Sequence, residues 1–183
     1  MIVFFGPAGA GKSVQGQMLA ARQGWRWLSA GQLLRDTRDS ELLELMSTGA
    51  LVPVEKISEI MGGALARAAE ANIDKVIVDG FPRELSQAEW LVQAQTQHNR
   101  PVELVVVLEV PKSELLKRLT VRGRVDDTPE AIDERLRIYR SEMYPILSYF
   151  TEQGIMIVHI DGTGTVGQVH DRIVEELVAC QLV

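Results

Sequence analysis

The sequence predicts an α/β fold, a five-stranded parallel sheet with helices on both faces, and three observations carry that expectation. Five short apolar runs alternate with longer stretches of helical period, the pattern of repeated strand–helix–strand units. The runs lack the polar alternation of a strand with one wet face, so each is expected to lie between two helical layers. The first run breaks into a glycine-rich turn that leads directly into a helix. With 183 residues the chain can bury one sizeable core, and it reads as a single domain, residues 1–183.

Ile2–Phe5 is the first strand, followed by Gly6-Pro7-Ala8-Gly9-Ala10-Gly11-Lys12-Ser13. A helix runs from about Ser13 to Gln23, with Val14, Met18 and Leu19 on its apolar face and Gly24 as its stop. Trp25–Leu28 is the second strand and delivers Ser29–Arg35, a turn into a helix. Ser40 is expected to cap a short helix over Glu41–Ser47, ended by Gly49. Val54–Glu70 sets Val54, Ile57, Met61, Ala64, Leu65 and Ala68 at helical spacing. Gly62-Gly63 weakens that helix, since each Gly costs about 1 kcal/mol relative to Ala.

Lys75–Asp79 is the third strand, with Gly80-Phe81-Pro82-Arg83 at its carboxyl end. A helix over Ser86–Gln97 leads to the strand Val102–Leu108. Pro111 opens another helix, to about Val121, and Arg122–Asp127 is a polar turn. Thr128-Pro129 is an N-cap and N1 pair for a helix with Ile132, Leu136, Tyr139 and Met143 on one stripe. Pro145 is expected to kink or divide that helix near Tyr144. Ile155–Ile160 is the last strand, and Thr165-x-x-Gln168 is a capping box for a closing helix with Val169, Ile173 and Leu177 inward. Gly6, Asp79, Glu109 and Asp161 then fall at the carboxyl edge of the sheet, where ligands of such folds bind.

Composition excludes several functions. A net charge of −6 and a pI near 5.1 argue against a nucleic-acid or membrane-surface binder, so any anionic ligand must be held by a local cluster of Arg and Lys. One cysteine, Cys180, cannot form an internal disulfide or a multi-Cys zinc site. No signal segment and no span of ~20 apolar residues is present, which points to the cytoplasm. His159, in an apolar strand, is expected in the core; His98 and His170 are expected on polar helical surfaces. Trp25, Trp27 and Trp90 are expected to pack.

The glycine turn carries the first chemistry. Gly6 to Ser13 fits G-x-x-x-x-G-K-[ST], in which glycines let successive backbone N–H groups point at phosphate oxygens beside a positive helix start. Lys12 is placed to reach the β- and γ-phosphates, and Ser13 offers a hydroxyl to Mg²⁺. Asp79 ends an apolar strand, where an unpaired carboxylate is costly; the metal and its waters would account for it.

Further along, Leu28-Ser-Ala-Gly31-x-x-Leu-Arg35, Gly49-x-Leu-Val-Pro53, Asp79-Gly-Phe-Pro-Arg83, Arg118-x-x-x-Arg122 and Arg124-Val-Asp-Asp127 followed by Arg135 come in one order. With the glycine turn they resemble the nucleoside monophosphate kinase family, and within it the short-lid adenylate kinases most closely. The resemblance implies the P-loop kinase fold, with a small helical excursion for the monophosphate (residues 29–71) and a very short lid (residues 122–135). It implies phosphoryl transfer from Mg-ATP to AMP giving two ADP; the short lid leaves no room for a zinc site, and a monomer is expected because no exposed apolar stripe stands out. Gly6, Gly9, Ala10, Gly11, Lys12, Ser13, Val14, Arg118, Arg122 and Gly162 would hold ATP. Ala30, Gly31, Arg35, Leu51, Val52, Gly80, Arg83 and Gln87 would hold AMP, and Ser13 and Asp79 the metal. Lys12, Arg83, Arg122, Arg124 and Arg135 would act on the transferring group; Asp126 and Asp127 either anchor the lid arginines or lead into the Thr128 cap. Arginine suits the task because its planar fork grips phosphate oxygens bidentately.

The chain departs from the family in places. Ser13-Val14 replaces the usual Gly-Thr, which restores the general P-loop hydroxyl and removes one phosphate contact. Ala8 stands where Pro is common. Only Gly123–Asp127 separates Arg122 from Thr128, so shielding of the phosphoryl group falls to the arginines, and leakage to ATP hydrolysis is expected to rise. Ala30 resembles the uridylate and cytidylate kinases, whereas Gln87 matches the glutamine that pairs with adenine, an amide offering donor and acceptor together. AMP is favoured, with a UMP/CMP kinase as the alternative and a non-catalytic nucleotide-binding regulatory module as the alternative of another class.

Overall fold

The strands pair in the order β2-β3-β1-β4-β5, all parallel. The computed structural model describes residues 1–124 and 126–183; Val125, in the Arg124-Val-Asp-Asp127 motif, lies outside the described residues. The elements are β1 (Ile2–Phe5), α1 (Lys12–Gln23), β2 (Arg26–Ser29), α2 (Ala30–Asp36), α3 (Ser40–Thr48), α4 (Val54–Glu70), β3 (Val76–Asp79), α5 (Leu85–Gln97), β4 (Leu104–Glu109), α6 (Lys112–Arg122), α7 (Pro129–Glu152), β5 (Met156–Asp161) and α8 (Val166–Ala179).

Strand side chains alternate between two cores, as a pleat of period two requires. Val3, Phe5, Val78 and Val105 face α4, α5 and the second half of α7, around Leu65, Leu91 and Phe150. Ile2, Phe4, Ile77 and Val106 face α1, α6, α8 and the first half of α7, around Leu19, Leu119 and Ile173. β1 and β3 are buried on both faces, which explains their uninterrupted apolar runs. The chain leaves β1 toward β2 and leaves β3 toward β4, on the other side of β1. A crevice therefore opens beyond the carboxyl ends of β1 and β3, the point where such sheets take their ligands.

Four local expectations change. Asp39, not Ser40, caps α3: its carboxylate accepts from the N–H groups of Glu41 and Leu42 at 3.0 and 3.3 Å, and a carboxylate also favours the positive helix start. α7 runs through Pro145 undivided, because Ile132, Leu136 and Ile138 before it and Ile146 and Phe150 after it are all buried. Packing on both sides outweighs one lost backbone bond. His159 is not a core residue: β5 is an edge strand, and the exposed ring lies 2.7 Å from the Glu109 carboxylate. His170 is buried rather than on a polar surface, at 1% exposure. Trp25, Trp27 and Trp90 do pack, Trp90 edge-on to Phe81 at 5.7 Å. Among the described residues, no helix is long and apolar enough to cross a membrane.

Candidate active site

The Gly6–Ser13 turn connects β1 to α1 and takes its shape from its glycines. Gly6 has φ +143°, and a Cβ there would lie 2.8 Å from the Leu108 carbonyl. Only glycine lets the turn press so close to β4. Gly11 caps α1 at φ 100°, leaving the first N–H groups of the helix without a side-chain cap. Lys12 Nζ curls back over the turn and donates to the Gly6 and Pro7 carbonyls at 2.7 and 2.9 Å. Burial pushes its pKa down to about 8, against the pull of Asp79, with Arg83 and Arg122 adding to the lowering.

Ser13 faces the next strand. Its hydroxyl donates to Asp79 Oδ2 at 2.6 Å, and Asp79, at the end of β3, is 2% exposed. A hydroxyl beside a buried carboxylate is a hard oxygen pair that fits Mg²⁺, which keeps most of its shell for water and phosphate oxygens. Four positions on, Arg83 Nε donates to the Gly80 carbonyl at 3.0 Å, so the loop after β3 orients its own arginine. Enclosure within the crevice and then the charge of Arg135 lower the Arg83 pKa, although the side chain keeps surface open to the cleft.

Three connected hollows occupy this edge. The central one is lined by Gly6, Lys12, Arg83 and Arg135, backed by Ile138 and Tyr139. A second, toward α2 and α4, shares Leu51, Gly80, Arg83 and Arg135 with it and adds Ala30, Val52 and Gln87. The third shares Lys12 with the central one and adds Ser13, Val14, Arg118, Arg122, Arg124 and Gly162. Arg35 borders the set without lining a hollow; its charge is among the causes lowering the Arg83 and Arg124 pKa values. Gly31, at the start of α2, lies beside the Arg35 guanidinium. The arginines of the six motifs thus converge on one edge.

The turn after α6 is built on carboxylates. Asp127, with a 2% exposed side chain, receives a forked pair from Arg122 and one bond from Arg135 at 3.1 Å. Asp126 accepts from Arg135 at 2.6 Å, and the same guanidinium donates to the Met46 carbonyl at 2.9 Å, tying the turn to the end of α3. Burial alone would raise the Asp127 pKa; the Arg122 fork and charge hold it below the usual carboxylate range. Arg118 pairs with Glu114 at 2.9 Å and leans toward the Ala10 carbonyl. Gln87 is buried, its Oε1 accepting from the Arg83 N–H at 2.9 Å and its Nε2 donating to Glu84 at 3.1 Å. An amide has two donors and two acceptor sites, so one of each has no partner among the described residues, and Gln87 lines the second hollow.

Sequence reading missed part of the site. Ile138, Tyr139 and Glu142 wall the central hollow, and Gly164, Thr165 and Val166 wall the third together with Gln15. The helical period of α7 did point Tyr139 inward, but nothing in a period says that the inward side is a cavity. His170 lies three residues before Ile173 and seven before Leu177, so the same spacing marks it as buried; its polarity concealed that.

A family model described as adenylate kinase matches residues 4–155. The adenylate kinase of Thermus thermophilus is 38% identical to this chain over 182 residues, covering 94% of each. Those of Prochlorococcus marinus (36% over 182 residues, 96% of this chain and 97% of the relative) and Mycolicibacterium paratuberculosis (35% over 177 residues, 93% and 95%) resemble it along nearly the same span.

Proposed function

The chain belongs to the adenylate kinase family, and on that footing we propose that it transfers a phosphoryl group reversibly from Mg-ATP to AMP, giving two ADP, with its residues divided among the three hollows. The third hollow takes ATP, the second takes AMP, and the γ-phosphoryl crosses in the central one. The continuity of the hollows through Lys12, Arg83 and Arg135 is the observation that carries this reading. Two nucleotides laid tail to tail would meet where those three cations stand. Phosphoryl transfer needs little covalent help; it needs in-line oxygens and cations around the moving charge.

Lys12 and the amides of the glycine turn hold the triphosphate, and Arg118 borders the base. Arg83 and Arg35 hold the monophosphate, with Leu51, Val52, Ala30 and the free amide sites of Gln87 around its adenine. Residues 29–71 form the AMP-binding excursion. Residues 122–135 form the reduced lid, from which Arg122, Arg124 and Arg135 turn onto the transferring group. Ser13 and Asp79 would hold Mg²⁺, which when bound neutralises charge on the phosphate oxygens. The reading extends to a cytoplasmic monomer acting on ATP, AMP and ADP without zinc or nucleic acid; the net charge of −6 supports leaving nucleic acid out.

A coupled assay of ADP formation, with ATP against AMP, UMP, CMP and GMP in turn, tests the reading. Transfer to AMP in clear preference is expected. Preference for UMP or CMP would move the protein to the pyrimidine kinases that Ala30 resembles, and no transfer with any acceptor would leave a binding module.

A further inference from the structure

The far wall of the third hollow is tied to the glycine turn by one side chain. Gln15, in the first turn of α1 and 3% exposed, reaches across to α8. Its Nε2 donates to the Val166 carbonyl at 2.8 Å, and its Oε1 lies 3.1 Å from His170 Nδ1. Chemistry fixes both directions. A carbonyl only accepts, so the arm facing Val166 is the amide nitrogen. The other arm is then the oxygen, which also only accepts, so His170 carries a proton on Nδ1.

This is an unusual place for polar groups. His170 is 1% exposed, between Val169 and Ile173, and its Nε2 has no hydrogen-bond partner among the described residues. Two apolar side chains could fill the same space without leaving a buried nitrogen unpaired. What they could not do is hold the Val166 carbonyl. That carbonyl belongs to the first residue of α8, and Gly164, Thr165 and Val166 just around it line the hollow opposite Lys12 and Ser13.

We infer that Gln15 and His170 are positioning residues for the triphosphate nucleotide: Gln15 fixes the Gly164–Val166 wall at one distance from the phosphate loop, and His170 keeps its amide from turning. The pair thereby sets the span that ATP must bridge between base and phosphates. This rests on the assignment of the third hollow to ATP. Neither residue lines the second hollow, so the effect belongs to one substrate only.

Steady-state kinetics on the full chain test it, varying ATP at saturating AMP and then the reverse. Gln15→Leu is expected to raise KM for ATP about tenfold while KM for AMP stays within about twofold, through the loss of the bond that holds the Val166 carbonyl. His170→Leu should do the same, whereas His170→Asn, whose amide nitrogen can stand where Nδ1 stands, should bring KM for ATP back to within about twofold of the parent. Should Gln15→Leu not fold, the two His170 variants decide the matter alone. Both KM values moving together, no change in either, or His170→Asn behaving like His170→Leu would overturn the proposal. A parent chain with no ATP requirement would remove the assignment of the hollow itself and the proposal with it, a result separate from normal parent kinetics without a split.

Discussion

Lys12 is the residue on which the central and third hollows meet, and burial holds its pKa at about 8 against an ordinary 10.5. The sign follows from which form burial disfavours. The folded protein gives up this proton as pH rises through about 8, while an unfolded chain keeps it until about 10.5, so folding gains stability over that window. Bound phosphates should restore the charge. At about pH 9, ATP binding is therefore expected to take up close to one proton, read by titration calorimetry in buffers of different ionisation enthalpy. Lys12→Met should abolish the uptake and lower transfer by about 10²–10³-fold with the fold intact. Equal uptake in both proteins, or near-normal turnover in the variant, would contradict the role given to Lys12.

Among the elements, the turn between α6 and α7 and the end of α3 act together. Asp127 gathers Arg122 and Arg135, and Arg135 carries the link on to Met46. Asp127→Asn should cost about 1–3 kcal/mol of stability at pH 7, measured by urea unfolding. The Asp127 pKa is depressed, so its contribution is present above the ordinary 3.8 and fades as pH falls through the lower folded value. The parent and variant curves should thus converge below about pH 3.8; a constant difference down to low pH would exclude the ion pairs as its cause. Gly49 ends α3 at φ 80°, and a Cβ there would lie 2.6 Å from the Ala131 carbonyl on α7. Gly49→Ala should destabilise by about 1–3 kcal/mol and raise KM for AMP, because the AMP side rests on that contact. Only five positions separate α6 from the cap of α7, so we expect a higher ratio of ATP hydrolysis to transfer than in a long-lid relative; equal ratios would refute this.

At the scale of the whole molecule, an acidic protein assembles a cationic cleft by topology. Strand order brings the turns after β1 and β3 side by side, and each turn brings one cation. This much was legible in the sequence, because apolar runs, glycine turns and helix caps are local signals that agree with one another. What stayed illegible is set by distant neighbours. His159 reads as core until β5 proves to be an edge, and His170 reads as surface until Gln15 arrives from a helix 155 positions away. The walls supplied by Tyr139 and Val166 are likewise invisible until the helices are docked. The central claim is that one cleft holds two nucleotides tail to tail, and its most direct test is calorimetric titration with two adenosines joined by five phosphates. One molecule per chain, displacing both ATP and AMP and binding more tightly than either, is the predicted result. Two molecules per chain, or displacement of only one nucleotide, would contradict it.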